Sequence, residues 1–376
     1  MKIAVPREIY NGERRVGITP DCISSLKKMG FDVFVESGAG LTSSFTDEDY
    51  KKNGAKISSS LKDLYNKTDL IVKIQRPSKN QKINEFSFIK NCNLLTLVYE
   101  QKFKTEFVSL KKLKINVFAL ERMPRISRAQ SMDVLSSQSN LSGYKAVIDA
   151  ASEFNKALPL MMTSAGTVAP AKVLIIGAGV AGLQAIATAK RLGAVVSSFD
   201  VRTSTKEQVE SLGAKFIEVD NGGSDSGETA SGYAKEMTKA YKKKQALLLE
   251  ENIKKMDIVI TTALIPGKPA PKIITKKMVE SMKVGSIIVD LASEFGGNCE
   301  LVKHGQTVDF KSKKIIGPIN LASSVAQDSS RLFSKNVLNF LMNSCKDGKF
   351  NDFNWEDEVV TETCVIKNLN NKIIKE

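Results

Sequence analysis

Two doubly wound α/β domains with parallel sheets, separated by a cleft, are what this sequence predicts, on three observations. Short β-rich runs alternate with helix-like segments from residue 1 to about 125, and the alternation starts afresh at Lys172. A glycine turn, Gly177-Ala178-Gly179-Val180-Ala181-Gly182, joins the first run of the second series to a segment of small and apolar residues. Between the series lies a polar stretch, "RISRAQSMDVLSSQSN", which holds no histidine, cysteine or lysine able to act as base or nucleophile.

In the first series the strands are "KIAVP", "FDVFVES", "LIVKIQ", "LLTLVY" and "INVFALE". Between the first two, "TPDCISSLKKMG" reads as a helix that Thr19 or Asp21 can cap and Gly30 can end. After the polar stretch, "LSGYKAVIDAASEF" is apolar at helical spacing and leads from one domain to the next. The second series has "KVLIIGAG", "AVVSSFD", "KFIEVD", "DIVITTALI" and "GSIIVDLA" as strands. "SSRLFSKNVLNFLMNS", again helical in spacing, carries the chain back, so the first domain spans 1–136 completed by 328–376 and the second 137–327.

With 376 residues, 42% hydrophobic and 26% charged, each domain can bury a core of its own. The longest apolar runs, "VLIIGAGVAGL" and "IVITTALIP", fall short of the roughly 18 residues of a membrane span. "MKIAVPREIYNGERR" lacks the order of a secretory signal, so a cytoplasmic chain is expected. Five scattered cysteines without a C-x-x-C pair read as reduced structural thiols. With His304 the sole histidine, neither a His-rich metal site nor a Ser-His-Asp triad is expected. The net charge of +14 is spread along the chain, with the densest run "KKK" at 242–244 and no interleaved aromatics. That predicts a solvated basic surface able to attract an anionic dinucleotide, and no nucleic-acid partner.

Strand, glycines and helix in this order suit a dinucleotide pyrophosphate, through a tight turn, close backbone approach and free N–H groups at the helix start. The second domain is therefore expected to be Rossmann-like and to bind through Gly177, Gly179, Val180 and Gly182. The next strand ends in Asp200, 18 residues after Gly182, where a carboxylate can bind the adenosine ribose and repel the extra phosphate of NADP. Arg202 weakens that repulsion. "NGGSDSGETASGYAKEM" (221–237) is a long glycine-rich loop, either a mobile flap or a passive connection, and Tyr233 is its residue best suited to cover a bound ring. "TTALIPGKPAP" (261–271) leaves a strand's carboxyl end in a stiff turn, at the ligand-facing side of an open sheet.

"RISRAQSMDVLSSQSNLSGYKAV", "VLIIGAGVAGLQAIATAKRLGA", "FDVRTSTKEQVESLGAKF", "GYAKEM", "TTALIPGKPAPKIIT" and "VDLASEFGGNCE" together strongly resemble the NAD(H)-binding domain, or α1 subunit, of proton-translocating NAD(P) transhydrogenase. The likeness runs from "PREIYNGERRVGITP" to about residue 345. It implies an NAD(P)+ transhydrogenase of the Si-specific/proton-translocating class, active only with partner subunits. Arg125, Gln130 and Asp133, with Ser136 close behind, are implied to orient the nicotinamide and its ribose. Other implied nucleotide contacts are Gly232 and Tyr233 in a mobile loop, Asp200, Val201 and Arg202, Gln245 and Leu264. The implied cofactors are NAD(H) here and NADP(H) on a partner. The implied assembly is a homodimer with a membrane-spanning subunit and an NADP(H)-binding subunit, cytoplasmic and peripheral to the inner face of the membrane, with no span of its own.

Hydride exchange between two nicotinamides makes and breaks no O–H or N–H bond, which fits a site without a base. Alanine dehydrogenase is the nearest alternative, and Arg15 and Lys73 match that family's carboxylate anchors. Tyr99 stands where that family has a catalytic histidine, and Glu294 where it has its aspartate, so amino-acid oxidation is expected to be lost. A non-catalytic NAD(H) sensor is the third reading, against which the Arg125-Gln130-Asp133 set argues.

Overall fold

The computed structural model describes residues 1–219, 238–265 and 268–368. The chain forms two compact units, Met1–Gln138 with Ala322–Glu376, and Ser139–Leu321.

In the first unit, β1 (Lys2–Val5), β2 (Asp32–Glu36), β3 (Lys56–Ser58), β4 (Leu70–Gln75), β5 (Asn93–Leu97) and β6 (Asn116–Ala119) lie parallel in the order β3-β2-β1-β4-β5-β6. A C-terminal strand, Cys364–Ile366, runs antiparallel along β6 and closes that edge. The central strands carry apolar residues without alternation because both faces of the sheet are covered, and β5 is buried at every position. The helix Pro20–Lys28 starts on a proline and ends before Gly30, whose φ of +98° suits only glycine. Thr19 occupies its N-cap position, but the hydroxyl makes no capping bond; its amide donates instead to Ser334 Oγ at 3.0 Å.

The helix Ala326–Met342 packs Phe333, Val337, Phe340 and Leu341 into this unit's core. Beyond it, Phe353 meets Phe118 of β6 with ring centroids 4.2 Å apart, and Phe350 meets Phe31 at 5.0 Å. Each such pair contributes about 0.5–1.5 kcal/mol beyond its buried area. Together they tie the segment after the helix to the sheet, which places Asp357 where the polar stretch can reach it.

The second unit begins within the helix Val134–Glu153 and continues through the hairpin β7 (Met161–Thr163) and β8 (Gly166–Val168). Its sheet comprises β9 (Lys172–Ile176), β10 (Val195–Phe199), β11 (Lys215–Ile217), β12 (Ile258–Thr261), β13 (Ile287–Asp290), β14 (Gln306–Phe310) and β15 (Lys313–Gly317). The order is β11-β10-β9-β12-β13-β15-β14, parallel except for β14. Without the antiparallel edge strands, both sheets read 3-2-1-4-5-6, the dinucleotide-binding order. Ala185, Ile186 and Ala189 of the helix Val180–Arg191 cover one face, and Leu249, Ile253 and Met278 the other. Among the described residues, no helix is long and apolar enough to cross a membrane.

Candidate functional site

The glycine turn follows β9 beside β12, where the strand order of the second unit reverses. Gly177 has φ +101°, and a Cβ there would stand 2.5 Å from Thr262 Oγ1. A Cβ on Gly182 would stand 1.8 Å from the Gly177 carbonyl oxygen, so this glycine lets the helix pack against the strand. Gly179 differs: its φ of −79° would suit any residue, yet nothing lies within 4 Å of the position a Cβ would take. That open space fronts the start of the helix Val180–Arg191, which no side chain caps. Free first-turn N–H groups and the positive end of the helix dipole make it a place for an anion, and a dinucleotide pyrophosphate fits there.

Asp200 lies just past β10 and pins the turn. One carboxylate oxygen accepts the Ala178 amide at 2.7 Å and Arg202 Nη2 at 2.7 Å; the other accepts the Arg202 amide at 2.9 Å and Nε at 3.0 Å. Arg202 therefore offsets the charge that would otherwise repel a 2′-phosphate. Val201 and Gln245 are half-buried, Gln245 on the helix Lys239–Ile253; Leu264, in the loop after β12, is exposed. That loop is latched by buried Asn298, which donates to the Ala263 and Pro271 carbonyls at 2.8 and 2.9 Å and accepts the Ala263 amide at 3.0 Å. Nothing in "GGNCE" marks Asn298 as a latch, because its partners are distant in sequence. Gly232 and Tyr233, with the rest of the expected flap, lie outside the described residues.

In the first unit the polar stretch forms a 3-10 turn, Ser127–Met132, whose Ala129 and Met132 enter the core while Arg125 and Gln130 are exposed. Asp133 caps the following helix, accepting the Ser136 amide at 3.0 Å and the Ser136 hydroxyl at 2.6 Å. Asp133 and Ser136 thus have a local structural role besides the one the resemblance implies.

Arg15 and Lys73 are buried among carboxylates. Arg15 donates to Glu13 through Nε and Nη2 at 2.8 and 2.6 Å, and to Gln138 at 2.7 Å. Lys73 donates to Glu85 and lies 3.6 Å from Glu8, which accepts the Ile74 amide at 2.7 Å. Burial, against the pull of Lys73, raises the Glu8 carboxyl to about 7. Burial opposes ionisation of Glu13 as well, but the Arg15 guanidinium holds it down at about 2. Tyr99 follows β5 with φ +49°, its amide bound by the Glu121 carboxylate, and Glu294 is half-buried in the turn Ser293–Phe295.

His304 Nδ1 lies 3.2 Å from Ser293 Oγ, but that hydroxyl donates to the Pro318 carbonyl at 3.1 Å, so the serine is not activated as a nucleophile. Burial pushes the thiols of Cys92 and Cys299 up to about 12 and about 11, so they stay protonated near neutrality. No cluster of His, Cys, Asp or Glu able to hold a metal occurs among the described residues.

Strand order and glycine turn define a nucleotide-binding protein of the Rossmann type. The chain belongs to the alanine dehydrogenase/PNT family, whose N-terminal domain matches residues 4–142 and whose C-terminal domain matches 146–374. It is 52% identical over 374 residues to the first part of NAD(P) transhydrogenase subunit alpha from Rhodospirillum rubrum, covering 98% of this chain and 96% of that one. The crystal structure of a transhydrogenase from Sinorhizobium meliloti superposes with a TM-score of 0.87 at 45% identity, covering 97% of this chain and 98% of that one. An L-alanine dehydrogenase structure shares the fold at a TM-score of 0.80 and 24% identity, covering 98% of this chain and 96% of that one.

Proposed function

We propose that this chain is the NAD(H)-binding subunit of a proton-translocating NAD(P) transhydrogenase. When bound, NADH supplies a hydride from its nicotinamide C4 to that of NADP+ on a partner subunit, a reaction coupled to proton translocation across a membrane. The glycine turn and the helix start at Val180 hold the pyrophosphate. Asp200, Val201 and Arg202 hold the adenosine, with Gln245 and Leu264 beside the nucleotide and Gly232 and Tyr233 closing over it. Arg125, Gln130, Asp133 and Ser136 orient the nicotinamide and its ribose. The chain works as a homodimer, docked to the inner face of the membrane through a membrane-spanning subunit and an NADP(H)-binding subunit.

The observation that carries this reading is the open approach at Gly179, on an otherwise tightly packed turn where the strand order reverses. Identity to a named transhydrogenase subunit over nearly the whole chain supports the particular activity. Tyr99 and Glu294, in the places of the acid–base pair that amino-acid oxidation needs, argue against the dehydrogenase. Titrating the chain with NADH and with NADPH, read by nicotinamide fluorescence, tests the cofactor assignment, and L-alanine with NAD+ tests the rival activity. NADH binding the tighter and no NADH formed from alanine is the expected result. Equal affinities, or turnover of alanine, would overturn the assignment.

A further inference from the structure

Asn336, on the helix Ala326–Met342, is buried at 7% exposure although its side chain is polar at both ends. Its amide nitrogen donates to the Ser131 carbonyl at 2.8 Å, and its amide oxygen accepts the Ser137 hydroxyl at 2.7 Å. Ser131 and Ser137 stand on either side of Asp133, one near the end of the 3-10 turn and the other in the first turn of the long helix. One side chain therefore holds both flanks of Asp133, and Gln130 immediately precedes the first of its two anchor points. Asn339, one turn further along the same helix, adds a second donor to the Ser131 carbonyl at 3.0 Å. At the outer edge, Arg128 forms a bidentate pair with Asp357 at 2.8 and 2.6 Å, and Asn343 donates to the same carboxylate at 2.9 Å. That carboxyl is held down at about 2 by its bonds from Arg128.

We infer that Asn336 is a positioning residue for hydride transfer, acting through Ser131 and Ser137 on the turn that presents Gln130 and Asp133. The inference rests on the transhydrogenase reading. Donor and acceptor of one amide are spent on the two elements that meet at Asp133, the 3-10 turn and the long helix, so the side chain fixes the one against the other. Alignment of two rings is the whole demand of the reaction, so a shift of the turn by a fraction of an ångström costs rate rather than affinity. The exposed Arg128–Asp357 pair contributes less, because solvent screens it.

The test is single-turnover hydride transfer, with the full chain carrying NADH mixed with the NADP(H)-binding component carrying NADP+, for the unaltered chain and for N336D, N336A, N339A and S137A. N336D preserves shape and the bond from Ser137 but sets an oxygen against the Ser131 carbonyl. Its transfer rate constant is expected to fall about ten- to a hundredfold, with the NADH dissociation constant within about threefold of the unaltered chain. N336A should follow it, with N339A and S137A each losing about threefold or less. A merely structural role lowers the folded fraction and melting temperature but leaves the rate constant of folded, NADH-loaded chain unchanged, and that result overturns the inference. Equal losses in affinity and rate overturn it as well. Transfer by the unaltered chain with normal rates in N336D and N336A rejects positioning alone, whereas no transfer by the unaltered chain rejects the transhydrogenase reading and this inference with it.

Discussion

Where the strand order reverses in the first unit, between β1 and β4, the Glu8 carboxylate folds over the end of the sheet and accepts the Ile74 amide at 2.7 Å. At the same place in the second, between β9 and β12, the backbone turns on Gly177 and Gly179 faces open space. Topology puts a ligand site at both positions. Side chains decide between them: in one unit Glu8, Lys73 and Glu85 fill the position with a buried charge cluster, and in the other the absence of side chains leaves amides for a phosphate. The repeated architecture thus yields one open glycine turn and one salt-bridged closure.

The sharpest way to break this contrast is to open the closed end. Lys73→Met leaves two buried carboxylates without their cation and should cost about 3–5 kcal/mol in urea unfolding; a loss under about 1 kcal/mol would show that the cluster is not a closure. Next, Gly179→Val should fill the open space without straining the backbone, lowering NADH affinity about thirtyfold, roughly 2 kcal/mol, while the melting temperature stays put. Affinity unchanged by that valine would place the phosphates elsewhere. Gln130→Asn, a retraction of one methylene, should slow hydride transfer about tenfold with little change in NADH binding, and parallel losses would contradict an alignment role.

The smallest effect is on pH dependence. Glu8 titrates at about 7 in the folded chain and near its ordinary 4.5 when unfolded, so folding takes up a proton between those values and stability falls as pH rises through that window. Glu8→Gln stays neutral throughout and should remove that fall. Glu13, held at about 2, acts below the window: its contribution is present above 4.5 and is lost as pH drops towards 2. Melting curves at several pH values check both signs, and an unchanged slope in the Gln variant would refute the assignment to Glu8.

The central strands are legible because they are continuous apolar runs, and the glycine turn because its spacing is fixed by packing: Gly182 must be bare to meet the Gly177 carbonyl. What escapes a reading of the sequence is short, lies at an edge or depends on distant partners. β3 has only three residues, and the β14–β15 hairpin turns on Lys311 and Ser312 at φ +48° and +59°, without the Asn-Gly pair that usually marks such a turn. Asn298 and Asn336 are ordinary asparagines in the sequence, given meaning by residues brought to them by folding. The polar stretch admits two readings in the sequence, a nicotinamide-facing loop implied by the resemblance and a helix-capping polar turn, and the second is what Asp133 does locally, with both Ser136 donors turned back on it.

Single-turnover mixing separates transhydrogenation from amino-acid oxidation. The chain loaded with NADH is mixed with the NADP(H)-binding component loaded with NADP+, and nicotinamide absorbance is followed, with L-alanine and NAD+ as the parallel control. Rapid transfer in the mixture, and none from either component or from alanine, is the predicted result. Turnover with alanine and none in the mixture would contradict the account, and would mean that Tyr99 and Glu294 serve as the acid–base pair of an amino-acid dehydrogenase.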